Sequence, residues 1–260
     1  MDKVIIITGA SSGIGLATAH YLSGNGCKVY GIARNAFKDE KFECLQGDVN
    51  NTDRIKEIFA EIFAKEGRID AVINNAGFGI AGAIEDTKPE NVEAIINTNL
   101  SAVIKICTIA IGYLKQSKSG RIINISSVGG IAPLGYQACY SASKAGVEIF
   151  SRALNEEVNP YNIKVTAVLP GDLNTGFTAA RVVDENKDNV NKRMRESVQK
   201  MEKSERGGKS PIVVSKVIYK LLKAKRPPLR KSVGFMAKFE VFLMRIFPTR
   251  IVNFVVGKLY

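Results

Sequence analysis

Tyr140 and Lys144 stand four residues apart in Tyr140-Ser141-Ala142-Ser143-Lys144, a run that opens a stretch of helical spacing, so the two share one helix face. Ser127, thirteen residues before Tyr140, closes a β-branched run together with Ser126. A hydroxyl at the carboxyl end of a strand and two side chains at the start of the next helix point into the crevice where open α/β sheets bind ligands. The chemistry open to such a trio is proton exchange. A free tyrosine has a pKa of about 10, and a neighbouring ammonium favours the phenolate, which should draw the group toward neutral pH. Two other places ask for a reason. Asn74-Asn75-Ala76-Gly77 closes another strand-like run, and Asn97-Thr98-Asn99 sets two poor helix formers inside a helix-like stretch.

Two scarcities remove rival mechanisms. The single histidine, His20, lies in a helix-like run and reads as a packing or surface residue, so hydrolase triads built on histidine have little to use. Cys27, Cys44, Cys107 and Cys139 are scattered without a CxxC pair, which indicates neither a metal site nor a disulfide framework. Free thiols fit a reducing, cytoplasmic setting.

A second chemical feature follows the first β-branched run directly: Thr8-Gly9-Ala10-Ser11-Ser12-Gly13-Ile14-Gly15, leading into a helix. Glycines are needed where the backbone turns tightly and where no side chain may separate it from a pyrophosphate, and the helix start supplies unpaired N–H groups. Gly9, Ser11, Ser12, Gly13, Ile14 and Gly15 are therefore read as a dinucleotide cradle. In such folds an acid some 20 residues on takes the ribose 2′-OH of NAD. Here the second run ends Ala33-Arg34, and an arginine fork suits the 2′-phosphate of NADP. The rival reading has Asp39 or Glu40 reaching back to the ribose.

These residues need a scaffold. Val4–Thr8, Lys28–Ala33, Phe42–Gln46, Ala71–Asn74, Arg121–Ser126 and Lys164–Leu169 read as buried strands. Ile14–Ser23, Asp53–Lys65, Asn91–Leu114 and Tyr140–Val158 read as the helices between them. The pattern predicts one doubly wound α/β (Rossmann) domain over residues 1–260, a parallel sheet with helices on both faces. The polar segment 184–208 reads as a helical excursion. No uninterrupted apolar run reaches the length of a membrane span.

Taken together, TGASSGIG, Asp48 after the third strand, NNAG, Asn99, Ser127, YSASK and Pro170-Gly171 with Thr175 resemble the short-chain dehydrogenase/reductase family, in its one-domain branch, over roughly residues 1–176. The resemblance implies that Ser127 hydrogen-bonds the substrate oxygen, Tyr140 is the general acid or base, Lys144 holds the ribose and supports Tyr140, and Asn99 positions a relay water. It further implies cofactor contacts from Asp48 and Val49 at the adenine, from Asn75, Ala76 and Gly77 along the cleft, and from Pro170, Gly171 and Thr175 at the nicotinamide end. The expectation is an NADP(H)-dependent oxidoreductase of ketones and secondary alcohols, assembled as a homodimer or homotetramer. A non-catalytic NADP sensor and a peripheral membrane reductase of acyl-lipid ketones are the alternatives, and the complete Ser/Tyr/Lys set argues against the first.

The substrate is open at this level. Segment 172–208 is expected to form the lid of its pocket, and the Arg230–Gly234 stretch with its apolar tail resembles members that handle steroids, bile acids or lipid ketones. The net charge is +12, and residues 221–260 hold nine Lys/Arg against the single acid Glu240. This basic tail has few aromatics suited to stacking and no nucleic-acid motif, so a nucleic-acid partner is not expected. In residues 234–260, Phe235, Met236, Phe239, Phe242, Leu243, Ile246 and Phe247 recur at helical spacing. Pro248 interrupts, and Ile251, Val252, Val255, Val256 and Leu259 resume the pattern. Three uses are open for it: packing on the body or a second subunit, capping the pocket, or lying on an anionic membrane surface. The last two imply an apolar substrate.

Overall fold

The computed structural model describes residues 2–185, 191–248 and 250–251. The chain begins β1 (Val4–Thr8), α1 (Gly13–Ser23), β2 (Lys28–Ala33), β3 (Glu43–Gln46), α2 (Thr52–Glu66) and β4 (Ala71–Asn74). A short β5 (Ile80–Gly82) leads to α3 (Pro89–Ile96), a π-turn at Asn97–Ser101 and α4 (Ala102–Leu114). Then come β6 (Arg121–Ile125), α5 (Ala138–Val158), β7 (Lys164–Pro170) and β8 (Val182–Asp184). The described chain closes with α6 (Lys192–Arg206), α7 (Ile212–Lys223), β9 (Arg230–Val233) and α8 (Phe235–Ile246).

Seven strands make one parallel sheet in the order β3-β2-β1-β4-β6-β7-β9, while β5 and β8 pair apart from it. The alternation of side chains along β1 shows why its run is apolar throughout. Val4 and Ile6 pack with Ile55, Phe59, Val103 and Val147 under α2, α4 and α5. Ile5 and Ile7 pack with Ala19, Leu22, Val214 and Ile218 under α1 and α7. A strand buried on both faces has no place for a polar alternate. The order reverses at β1, whose neighbours β2 and β4 run off to opposite sides, and the crevice lies at the carboxyl ends of β1 and β4.

Several elements differ from the sequence reading. The expected single helix Asn91–Leu114 is α3 and α4 joined by the π-turn, where the i→i−4 ladder breaks at the two asparagines. By length and composition Pro89–Leu114 would suffice to cross a membrane, with mean hydropathy 1.7, although no unbroken apolar run suggests it. It is instead a core helix, with Ile95, Val103, Ile106, Ala110 and Leu114 buried. In the segment 184–208, α6 lays Met194, Val198 and Met201 against Ala81, and residues 186–190 lie outside the described residues.

The reading assigns no element to Ile212–Lys223, although the three- and four-residue spacing of Val214, Ile218, Leu221 and Leu222 carries the helical signal. It also misses β9, whose sequence Arg-Lys-Ser-Val is polar because it is the edge of the sheet. The tail forms α8 up to Ile246, and Phe247, before Pro248, turns extended at φ −103° and ψ 147°. The resumed apolar piece is described only to Ile251, and Val252, Val255, Val256 and Leu259 lie outside the described residues.

Candidate active site

The glycine loop is built against the end of β4. Asn75 Nδ2 donates to the carbonyls of Thr8 (2.9 Å) and Gly9 (3.1 Å), and Thr8 Oγ1 accepts from the N–H groups of Asn75 and Ala76. Gly9 and Gly13 have φ of 67° and 54°, in the left-handed region. A Cβ on Gly15 would stand 2.1 Å from the Gly9 carbonyl oxygen, so only glycine lets the loop fold over the start of α1. Ser12 caps α1 from extended geometry without a side-chain bond, and the first turn holds no acid. The first N–H groups of α1 thus face outward with the positive end of the helix dipole behind them, which fits a pyrophosphate.

The rest of the expected cofactor wall lines the same crevice. Asp48 accepts from the N–H of Asn50 in a tight turn after β3, with Val49 buried beside it. Ala76 and Gly77 follow β4, and a Cβ on Gly77 would meet Asn99 Oδ1 at 2.8 Å and Lys144 Nζ at 3.4 Å. Pro170 ends β7, Gly171 donates its N–H to Val233, and Thr175 stands opposite Gly13. Ser11 and Ile14 lie in the loop and the first turn of α1. Arg34 is exposed at the end of β2 with no ion pair among the described residues. Asp39 is engaged elsewhere: His20 Nε2 lies 2.6 Å from its carboxylate, Lys41 N–H donates to it, and its pKa falls, chiefly through the His20 bond. The surface histidine thus holds the acid that could otherwise have turned back to the ribose.

Ser127, Tyr140 and Lys144 come together through another close approach. A Cβ on Gly130 would lie 2.7 Å from the Lys144 carbonyl carbon, so the glycine after Ser127 lets α5 seat against this turn. Ser126 Oγ donates to the Lys144 carbonyl (2.7 Å), and Lys144 Nζ donates to the Ile125 carbonyl (2.9 Å). Before α5, Tyr136 adopts a left-handed φ of 61° and its carbonyl accepts from Gly82 N–H. That strained turn aims the first residues of the helix. Asn99 is fully buried. Its Nδ2 donates to the Phe78 carbonyl and to Ser143 Oγ, and its Oδ1 accepts from Phe78 N–H. The side chain thus clamps the Asn75–Phe78 turn onto α5.

Electrostatics correct one expectation. Burial raises the Tyr140 pKa, the Ser127 hydroxyl pulls it back, Glu205 adds to the rise and Arg181 opposes it. Burial lowers Lys144 to about 8. Burial is the largest cause, and Lys144, whose own charged form burial disfavours, is not among the groups that pull Tyr140 down. Tyr140 is thus a neutral hydroxyl at pH 7, the form that gives a proton.

Three residues at this place were not foreseen. Phe177 covers Tyr140, with ring centroids 5.7 Å apart. Arg181, buried, pairs with Glu205 and lies 5.8 Å from the Phe177 ring, while its Nε and Nη1 have no hydrogen-bond partner among the described residues. All three belong to the segment expected to close the pocket, but no local pattern singles them out.

Residues 3–186 match the short chain dehydrogenase family. The chain belongs to the short-chain dehydrogenase/reductase family. Within it, the chain is 43% identical over 237 residues to a 3-ketodihydrosphingosine reductase from Bacteroides thetaiotaomicron, spanning 89% of this chain and 88% of that protein. Among solved structures, a short-chain dehydrogenase from Streptomyces avermitilis superposes with a TM-score of 0.83 at 30% identity, over 100% of this chain and 95% of that one. A variant of the actinorhodin polyketide ketoreductase with NADPH gives 0.74 at 26%, over 89% and 95%. The fold, the oxidoreductase class and a nicotinamide dinucleotide cofactor follow for this chain as a member of the family. Its Ser, Tyr and Lys meet at the carboxyl edge of the sheet, where such an enzyme works.

Proposed function

We propose that this chain is an NADPH-dependent reductase of ketones carried on apolar, lipid-like substrates. The observation that carries the reading is the Ser127–Tyr140–Lys144 group under an apolar cover. Phe177 lies over Tyr140, and Leu243 and Met244 of α8 pack on Ala132, near Ser127. The likeness to a 3-ketodihydrosphingosine reductase over most of both chains supports a lipid ketone over a sugar. Support for NADPH comes from Arg34, exposed and unpaired, with Asp39 tied to His20. A charge-assisted contact of this kind is worth roughly 1.5–3 kcal/mol.

When bound, NADPH supplies the hydride to the carbonyl carbon. Ser127 donates a hydrogen bond to the carbonyl oxygen and fixes it beside Tyr140. The neutral Tyr140 hydroxyl gives that oxygen its proton as the C–O bond becomes an alcohol. Lys144, buried and hydrogen-bonded to the Ile125 carbonyl with its Nζ 5.9 Å from the centre of the Tyr140 ring, would hold the nicotinamide ribose. Phe177, packed against the Tyr140 ring, would help exclude water from the reacting carbon.

The test is NADPH consumption on a panel of 3-ketodihydrosphingosine, steroid, bile-acid, fatty-acyl and small soluble ketones. The reading expects the highest kcat/KM on the long-chain ketone and preference for NADPH over NADH by at least about tenfold. Highest efficiency on a small polar ketone, or equal use of both cofactors, would refute the corresponding half.

A further inference from the structure

We infer that the outer face of α8 docks on an anionic membrane surface. The helix is apolar on two opposite sides. Its inner side, Ala237 with Leu243 and Met244, packs on Gly171, on the turn after Ser127 and on Ala132. Its outer side carries Phe235, Phe239, Phe242 and Ile246, a stripe at three- and four-residue spacing, with Phe235 75%, Phe242 54% and Ile246 57% exposed. An outward stripe of three phenylalanines and an isoleucine is apolar surface that a water-facing helix would not carry.

Charge selects the occupant. Exposed Lys238 flanks the stripe on α8, and exposed Lys231 in β9 and Arg250 just beyond α8 precede and follow it in the chain. The one acid in residues 221–260 is Glu240, which is 4% exposed and turned inward beside Asp172. The outward surface of this region therefore presents cations around an apolar strip, the pattern of a helix lying in a lipid interface. Anionic headgroups complement it. A second copy of the chain would not, because a two-fold contact sets the same cations against each other. The strip also sits one helix thickness, about 10 Å, from the residues around Ser127. Docking there brings the pocket to the bilayer from which an apolar ketone would come. The docking itself does not depend on turnover.

The test uses the full chain with phosphatidylcholine vesicles, with and without phosphatidylglycerol. The protein should co-sediment with the anionic vesicles at least about tenfold more strongly, and added salt should release it. Phe239→Ser with Phe242→Ser should lower that binding at least about tenfold, with the melting temperature changed by only a few degrees, because the rings are 42% and 54% exposed. The chain holds no tryptophan, so Phe242→Trp makes a single reporter whose emission should shift to the blue on anionic vesicles. Failure of the wild type to bind at low salt would overturn the inference. So would binding indifferent to the double substitution, or light scattering that shows an oligomer which the double substitution dissolves. Vesicle binding without ketone reduction would leave the docking standing and remove the proposed function.

Discussion

The two halves of the crevice are held in different ways. On the cofactor side, β1, the glycine loop and the end of β4 are locked by backbone contacts: a Cβ on Gly15 would collide with Gly9, and Asn75 bonds the two strand ends. On the substrate side, the described residues that follow β7 are held by amphipathic helices, a buried ion pair and apolar side chains over Tyr140. Backbone lock leaves no room for variation. Side-chain packing can be retuned at small cost, which is where one family can change substrates while keeping one cofactor chemistry.

Breaking the shared centre should have the largest effect. Tyr140→Phe removes the proton donor and leaves the ring, so turnover should drop at least about a hundredfold. NADPH affinity, followed by fluorescence titration, should stay within a few fold. More than a tenth of the wild-type rate would remove Tyr140 from its role. On the cofactor side alone, Arg34→Asp should weaken NADPH binding by roughly 10- to 150-fold while NADH binding holds or improves. Parallel losses for both cofactors would instead mean a general structural defect.

The substrate side has its own lever in Glu240. Burial and the nearby Asp172 charge raise its carboxyl from 4.5 to about 7. A raised carboxylic pKa destabilises the folded form only once the group must ionise. The penalty is absent below about pH 4.5, grows as pH rises, and is complete above about pH 7. Wild-type α8 should therefore loosen as pH rises from about 4.5 to about 7, by up to about 3 kcal/mol in all. Glu240→Gln should flatten that dependence, and hydrogen exchange at α8 across this range reads it. An exchange profile identical in both proteins would show that Glu240 is solvated rather than buried. The smallest change is expected from Phe177→Ala. It should raise KM for long-chain ketones by less than about tenfold, leaving small ketones and NADPH binding nearly untouched. A uniform loss on all substrates would make Phe177 part of the scaffold.

The unequal locking also explains which parts were legible. Each cofactor-side residue sits next to its signal: glycines beside a strand end, Arg34 directly after β2, Asn75 directly after β4. Tyr140 and Lys144 are a helix turn apart and Ser127 stands two residues after β6, so local spacing places them too. Asn99 was visible as an oddity inside a helix, but its bonds to Phe78 and Ser143 span 21 and 44 residues and leave no trace in the local pattern. Phe177, Arg181 and Glu205 reach Tyr140 only after the chain has crossed from β7 to α6. β9 was hidden because an edge strand may be as polar as a loop.

The sequence by itself determined the parallel sheet and the cofactor-side machinery, because strand burial on both faces, glycine-only turns and one-turn helical spacing are local requirements written in consecutive residues. Tertiary structure alone decided the rest. It turned His20 to Asp39, placed Phe177 over Tyr140, raised the pKa of that tyrosine through burial, and divided α8 into an inner and an outer face. Each is a balance of desolvation, charge and packing among groups distant in the chain, which exists only once those groups share one space.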